Sequence, residues 1–120
     1  MPFSSLVIFG TCEKHKSEIK NILYDIGIPP LLTGYPYIID ATILAKDAAD
    51  IDVYSEIAFQ YDTSPESVER AIRHAIQISW EWEGDRSLKN FYSRGQTMPS
   101  NREFFDFLQC SYSVEAAQDV

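Results

Sequence analysis

The sequence is poor in features that mark several large protein classes. Its 120 residues include 2 cysteines and 5 glycines, and no apolar run is long enough to cross a bilayer. Cys12 and Cys110 lie near opposite ends with no motif around them, so we expect reduced thiols. The apolar run Leu6 to Phe9 is too short for a signal peptide, and no basic residue precedes it. We therefore expect a cytoplasmic protein without membrane contact.

Positive charge is scarce as well. Ten Lys and Arg residues stand against 18 Asp and Glu residues, which gives a net charge of −8 and a pI near 4.6. A chain with this balance is repelled by nucleic acid at long range, so any DNA-binding surface has to be a local basic face. Hydrophobic residues make up 45% of the chain and charged residues 23%, which is typical of a globular domain with its own core.

Motifs for metal binding or catalysis are also missing. Cys12 and His15 have the spacing of a metal-ligand pair, but no second pair completes a tetrahedral set. Asp47, Asp50 and Asp52 crowd one loop, which lacks the glycine and the terminal glutamate of a calcium loop. We expect a solvated acidic loop there, with Asp52 capping the next helix. No nucleophile motif is present, so the sequence predicts neither an enzyme nor a cofactor.

What the sequence does contain is helical periodicity, which predicts an all-α, compact bundle of five or six helices that includes a helix-turn-helix. The predicted helices cover residues 17–26, 34–48, 53–60, 64–80, 88–92 and 101–108, with Gly27 ending the first and Asn101 capping the last. Leu6 to Phe9 fits either a short strand or an extended arm. We divide the chain into an arm at 1–16, the helix-turn-helix domain at 17–110 and a frayed tail at 111–120.

The predicted helix at 64–80 has the strongest signals. Ser64 suits the N-cap, Pro65 suits the first helical position, and Glu66 complements the helix dipole. At 100° per residue one side of this helix is apolar and the other is polar. The apolar side contains Val68, Ala71, Ile72, Ala75, Ile76, Ser79 and Trp80. The polar side contains Glu66, Arg70, Arg73, His74 and Gln77, with Glu69 at its margin.

The preceding residues complete a helix-turn-helix spacing. The short helix 53–60 is followed by a tight break at Tyr61 to Thr63, and then the long helix begins. Ala58 is small enough for the second helix to approach the first, and Val68 can fill the angle between them. Asp62 falls where the turn requires a left-handed backbone, which aspartate tolerates better than most residues.

Several runs resemble, in the same order, the DNA-binding effector domain of the stage 0 sporulation protein A family of response regulators. The nine residues Val68-Glu-Arg-Ala-Ile-Arg-His-Ala-Ile76, followed by Trp80, are similar to its recognition helix. The flanking similarities are Ile26-Gly-Ile-Pro29, Gly34-Tyr-Pro-Tyr37 and Pro99-Ser-Asn-Arg-Glu-Phe104, and the resemblance covers roughly residues 19 to 108. It implies a transcriptional regulator, here without a receiver domain.

The polar face has the chemistry of DNA recognition. Arg70 and Arg73 can each grip guanine bidentately, Glu69 can accept from a cytosine amino group, and His74 can reach a phosphate or a base. The resemblance implies base contacts for Glu69, Arg70 and Arg73, with Ser67 where the family has an arginine. The predicted DNA-binding residues are Ser67, Glu69, Arg70, Arg73 and His74. The resemblance further implies double-stranded DNA as partner, a homodimer on repeated half-sites, and contact with the RNA polymerase sigma subunit.

A second hypothesis stays open at this point. Glu66 with Arg70, and Glu69 with Arg73, are spaced as i, i+4 ion pairs that could merely stabilise a helix. The domain would then be an acidic helix-turn-helix used as a protein-interaction module or antagonist that does not bind DNA. A positive stripe beside the two arginines would favour DNA, and the candidates for it are Lys14, Lys16, Lys20, Lys89 and Arg94.

Overall fold

The computed structural model describes residues 15–47, 52–92 and 97–118, and every regular element in these ranges is helical. The prediction of an all-α fold is confirmed. The elements are α1 (residues 15–25), α2 (Gly34–Asp47), α3 (Val53–Gln60), α4 (Pro65–Glu81), a 3-10 helix (Leu88–Asn90) and α5 (Asn101–Gln118). The predicted strand or arm at Leu6 to Phe9, together with Cys12, Lys14, Asp50 and Arg94, lies outside the described residues.

Helix α4 lies at the centre of the domain. It contacts α2, α3, the 3-10 helix and α5. The apolar face predicted from its periodicity is buried, since Val68, Ile72, Ala75 and Ile76 have no exposed surface. Burial of each Val or Ile side chain stabilises the fold by about 1.5–3 kcal/mol, so this face fixes the orientation of α4.

Helix α2 approaches the backbone of α4 closely at Gly34. A Cβ atom at this position would lie 2.3 Å from the backbone oxygen of Ala71 and 3.2 Å from the Cβ of Ala75. Because the first of these atoms belongs to the backbone, a side chain here would force the two helices apart. Gly34 therefore sets the distance at which α2 supports α4.

Two helices end in the same left-handed turn, one with glycine and one with aspartate. At the end of α1, Gly27 has φ of 76°, and the N–H of Ile28 donates to the Leu23 carbonyl at 2.9 Å. At the end of α3, Asp62 has φ of 56°, and the N–H of Thr63 donates to the Ala58 carbonyl at 2.9 Å. Both have the hydrogen-bond pattern of a Schellman motif. The left-handed backbone predicted at Asp62 is confirmed, and it produces the helix-turn-helix angle.

Helix α3 begins as predicted at the acidic loop. Asp52 is its N-cap, and its carboxylate accepts from the Ser55 N–H at 3.4 Å and from the Ser55 hydroxyl at 2.9 Å. Ile57 and Ala58 are buried against α4. The small side chain at Ala58 thus allows the close approach that the sequence predicted.

The last two helical segments differ from the sequence predictions at three boundaries. Residues 88–92 form only a 3-10 turn, Leu88–Asn90, and Ser87 does not cap it because its hydroxyl donates to the Ser79 carbonyl at 2.8 Å. Asn101 is the first residue of α5 rather than its cap. The cap is Ser100, whose hydroxyl accepts from the Glu103 N–H at 3.2 Å. Helix α5 continues to Gln118, past the end of the predicted periodicity at residue 108.

The three phenylalanines of α5 belong to the core. Phe104 and Leu108 are fully buried, and Phe105 and Phe107 pack against the same cluster. In the part of the chain that the structure describes, no helix has both the length and the apolar character of a membrane span. The division into arm, domain and tail stays a prediction.

Candidate nucleic-acid interface

The exposed face of α4 begins at a well-formed helix start. Ser64 has an extended backbone, and its hydroxyl oxygen accepts from the Ser67 N–H at 3.1 Å, while Pro65 occupies the first turn. The cap satisfies a backbone donor that would otherwise point into solvent. It therefore holds the first turn of α4 in helical geometry just ahead of the two arginines.

Four of the five predicted DNA-binding residues lie on the exposed face of α4. Glu69, Arg70, Arg73 and His74 are all solvent-exposed, and their backbone is held by the buried residues between them. Among the described residues, neither guanidinium group has an ion-pair or hydrogen-bonding partner. The i, i+4 ion pairs with Glu66 and Glu69 are thus not formed. Both arginines are available to a ligand.

Ser67 differs from the other four. It is half-buried, and its hydroxyl accepts a hydrogen bond from the Ser64 hydroxyl at 2.9 Å. The side chain therefore belongs to the N-cap hydrogen bonds, and it is much shorter than the arginine that the resemblance implies at this position. A DNA contact at Ser67 stays a prediction.

The arginines of α4 line a groove of about 600 Å³ between this helix and the start of α5. Its opposite wall is the segment Ser100 to Arg102, and Tyr54 of α3 closes one side. The complete lining is Tyr54, Glu66, Glu69, Arg70, Arg73, Ser100, Asn101 and Arg102. The groove therefore brings residues from three helices to one surface.

Two sets of hydrogen bonds fix the α5 wall of this groove. The side-chain amide of Asn101 is buried and donates from Nδ2 to the backbone carbonyl of Glu69 at 3.1 Å. Ser100 and Glu103 form a reciprocal capping box, in which the Ser100 N–H donates to Glu103 Oε1 at 2.9 Å. The first turn of α5 is consequently anchored to the second turn of α4, beside Arg70.

The charge of the groove is opposite to that of the chain. Three arginines and two glutamates line it, giving a local charge of +1, whereas the whole sequence carries −8. The third cation is Arg102. It was not among the residues predicted from the sequence to form a positive stripe, which were four lysines and Arg94. Lys89 lies on the 3-10 helix and does not line the groove, and Lys14 and Arg94 are outside the described residues.

Tyr54 adds a neutral donor to the groove. Burial raises the pKa of Tyr54, a hydrogen bond with the Asn101 side chain lowers it, and the Glu69 and Asp52 carboxylates raise it again. The net shift is upward, so the phenol stays protonated at neutral pH. A protonated hydroxyl beside three guanidinium groups can donate to a phosphate oxygen.

These groups can bind anions and base edges but have no arrangement for metal chemistry. Among the described residues, no group of three or more His, Cys, Asp or Glu side chains is placed to hold a metal ion. Cys12, which has metal-ligand spacing with His15, lies outside the described ranges, and so does Asp50 of the acidic loop. The donors in the groove are guanidinium, phenol and amide groups, which suit phosphates and the acceptors of guanine.

Sequence reasoning missed Tyr54, Asn101 and Arg102. A local signal existed for the last two, because Ser100 and Glu103 have the capping-box spacing that places Asn101 and Arg102 in the first turn of a helix. No local signal indicates that this turn packs against Glu69, which is 32 residues away along the chain. The groove is a tertiary feature.

Comparison with known families identifies the domain. The family model described as sporulation initiation factor Spo0A C terminal matches residues 19–111, which is more than three-quarters of the chain. The family comprises DNA-binding domains and is not enzymatic. The match includes α2, α3 and α4, the first part of α5 up to residue 111, the turn at Asp62 and the groove between α4 and α5. The chain therefore belongs to the Spo0A C-terminal family of sporulation-related, DNA-binding response-regulator effector domains.

Proposed function

We propose that this domain is a transcriptional regulator that reads the DNA major groove in a sequence-specific way through α4. The observation that carries the proposal is the pair Arg70 and Arg73, exposed on one helix face and without ion-pair partners among the described residues. A helix with its side chains is about 10–12 Å wide, and the major groove is about 12 Å wide. A helix-turn-helix presents its second helix in this way.

Each predicted residue has a distinct role in the proposal. Arg70 and Arg73 donate to guanine O6 and N7, and Glu69 accepts from a cytosine amino group. His74, one turn further along α4, contacts a phosphate or a base acceptor. Ser67 replaces a long cation with a short hydroxyl, so we expect fewer contacts there than in other members of the family.

The proposed partners follow from this mode of binding. We propose that two copies bind repeated half-sites, since a single recognition helix contacts few base pairs. The RNA polymerase sigma subunit is a second proposed partner, which would couple DNA binding to transcription. A DNA target also places the proposed function in the cytoplasm.

The acidic composition favours a second candidate function. The net charge of −8 opposes approach to DNA, and two glutamates share the groove with the arginines. In this alternative the helix-turn-helix is retained as a protein-interaction module or antagonist and does not bind DNA. The two candidates differ in whether the groove binds a duplex at low salt.

The test is selection from randomised duplexes followed by titration of the selected sequence at about 50 and 200 mM salt. We expect a steep fall in affinity between these concentrations. Arg73→Ala should cost about 1–3 kcal/mol and relax preference at the base pair that Arg73 reads. Arg86→Ala removes the same charge from an exposed site outside the groove, where the guanidinium lies 4.2 Å from the ring centre of Tyr24, and should leave binding unchanged.

One result would favour the protein-interaction alternative, namely the absence of any retarded duplex at about 50 mM salt, where phosphate contacts are strongest. An equal effect of Arg73→Ala and Arg86→Ala on a duplex that does bind would refute base reading by α4, since it would indicate that net charge rather than the exposed face of α4 determines binding.

A further inference from the structure

We propose that Arg102 is an additional DNA contact, which binds a backbone phosphate at the rim of the groove that α4 enters. This inference rests on the proposed function and extends it to a second helix. Arg102 lies in the first turn of α5, is solvent-exposed, and lines the same groove as Arg70 and Arg73. Among the described residues, its guanidinium group has no ion-pair partner.

The position of Arg102 is fixed by its neighbour rather than by its own contacts. Asn101 is 7% exposed, and its Nδ2 donates to the Glu69 carbonyl on α4 at 3.1 Å. This bond joins the first turn of α5 to the residue that directly precedes Arg70. Asn101 is therefore a positioning residue: it holds Arg102 beside the two arginines at little entropic cost on binding.

The dimensions of DNA assign Arg102 to a phosphate. A helix in the major groove fills its width, so its side chains reach the base edges. Packed helices lie about 8–10 Å apart, axis to axis, so a helix beside α4 is displaced from the centre of the groove towards the backbone. A cation on that second helix thus meets phosphate oxygens, which guanidinium binds bidentately.

The surroundings of Arg102 support an anion as its ligand. The positive end of the α5 dipole lies at this turn, and it favours a nearby negative charge. The capping box already occupies the Ser100 N–H with the Glu103 carboxylate, so the helix start is structurally complete without Arg102. The guanidinium group is left to interact with a ligand.

The experiment uses a mixed-sequence duplex, because a phosphate contact does not depend on base sequence. Affinity is measured between about 50 and 200 mM salt for the wild-type chain, Arg102→Ala and Arg102→Lys. Loss of one phosphate contact should reduce affinity roughly three- to tenfold and lower the slope of log K against log salt by about 0.9. Arg102→Lys should retain most of the slope because it keeps the charge.

Arg86→Ala provides the matched control, since it removes one guanidinium group from an exposed residue that does not line the groove. A structural role for Arg102 would lower the urea midpoint without changing the salt slope, so unfolding is measured in parallel. On selected duplexes, Arg102→Ala should weaken all sequences equally, whereas Arg73→Ala changes which sequence is preferred.

The outcomes separate this inference from the proposed function. If Arg102→Ala keeps the wild-type slope while Arg73→Ala loses affinity, the rim contact is wrong and base reading by α4 stands. If Arg86→Ala and Arg102→Ala lower the slope equally, the effect is one of net charge and the specific contact is again wrong. If the wild-type chain binds no duplex at low salt, both the proposed function and the contact are refuted.

Discussion

The two halves of α4 are held in place by different kinds of interaction. In the first half, residues 65–73, the side chains make only local hydrogen bonds within the described residues, as in the cap from Ser64 to Ser67. The exposed face of this half contains the two arginines. In the second half, Ser79 is fully buried and connects three elements: its hydroxyl donates to the Ile26 carbonyl and accepts from the Leu88 N–H at 3.1 Å. The difference implies that binding and stability depend on separate residues of one helix.

The grooves beside the two halves of α4 also differ in their polarity. The one at Arg70 and Arg73 is polar, whereas a cleft of about 430 Å³ at the other end is mainly apolar and contains the indole of Trp82. Cβ atoms at Gly27 and Gly84 would lie 2.9 Å and 2.3 Å from carbon atoms of that indole. The indole therefore packs against two glycines, and its position depends on their lack of side chains.

Among the substitutions that test this difference between the two halves of α4, Ser79→Ala should have the largest effect on stability. It leaves the Ile26 carbonyl and the Leu88 N–H buried without a partner, and each such group costs about 1–3 kcal/mol. We expect the free energy of unfolding to fall by about 2–6 kcal/mol, a large share of the 5–15 kcal/mol typical of a domain. Urea unfolding followed by circular dichroism measures the loss.

Gln77→Ala is the control for Ser79→Ala. Gln77 is in the same half of α4 but is exposed, and its side chain donates only to Glu81, at 3.0 Å. Its removal should cost a few tenths of a kcal/mol. Equal stabilities for the two variants would show that the second half of α4 is not the anchor of the helix.

Ser64→Ala, which removes the N-cap of α4, should have a smaller effect on stability. Loss of the acceptor for the Ser67 N–H should cost about 1 kcal/mol and fray the turn before Arg70. Because this half presents the arginines, DNA affinity should fall together with stability. Thermal melting and duplex titration on the same preparation measure both.

Ser64→Gly sharpens this prediction. Glycine is also a favourable N-cap, so its cost should be only a few tenths of a kcal/mol although it removes the same hydroxyl. Similar losses for alanine and glycine would mean that the Ser64 hydroxyl acts on DNA directly rather than through the helix start.

What the sequence could predict was local. The cap at Ser64, the left-handed Asp62 and the exposed arginines each follow from residues within one or two turns, and the structure has all of them. The roles of Ser87 and Asn101 could not be predicted, because both side chains bond to the backbone of α4 rather than to their own segment. Rules based on one segment predict that such residues cap their own helix. Tertiary packing instead brings their side chains to the backbone of another helix.

The candidate site shows the same division. Residues on one helix face could be predicted from the period of 3.6, but the second wall of the groove depends on how α5 packs on α4. The sequence therefore indicated two arginines of the positive patch, and the candidates for the rest of it were four lysines and Arg94, all outside α4. The third cation is Arg102, which the Asn101 hydrogen bond brings to the groove.

The smallest predicted effect concerns the turn that leads into the first half of α4. The Tyr61 hydroxyl donates to the Asp40 carboxylate at 2.7 Å and so ties the helix-turn-helix turn to α2. The bond is exposed to solvent, so Tyr61→Phe should cost less than about 1 kcal/mol at neutral pH. Asp40→Asn keeps an acceptor for the hydroxyl and should cost less still.

The pH dependence of stability makes this small effect measurable. Burial, followed by the hydrogen bond to Asp40, raises the pKa of Tyr61 above its usual value of 10. In the unfolded chain tyrosine ionises near pH 10, so above that pH the unfolded state binds fewer protons than the folded state. The contribution of Tyr61 to stability is therefore complete below about pH 10 and is lost as the pH rises towards the folded value.

Tyr61→Phe should accordingly flatten part of the fall in urea midpoint above pH 10. The remainder should persist in the variant, because burial also raises the pKa of Tyr35 and Tyr54. An unchanged alkaline slope would show that the Tyr61 hydroxyl is already free of Asp40 in solution. The turn would then be held by its backbone hydrogen bonds, by Asp62 and by the edge-on packing of the Tyr61 ring on the Tyr37 ring of α2, whose centroids lie 4.9 Å apart. The orientation of the first half of α4 would not depend on the hydrogen bond to Asp40.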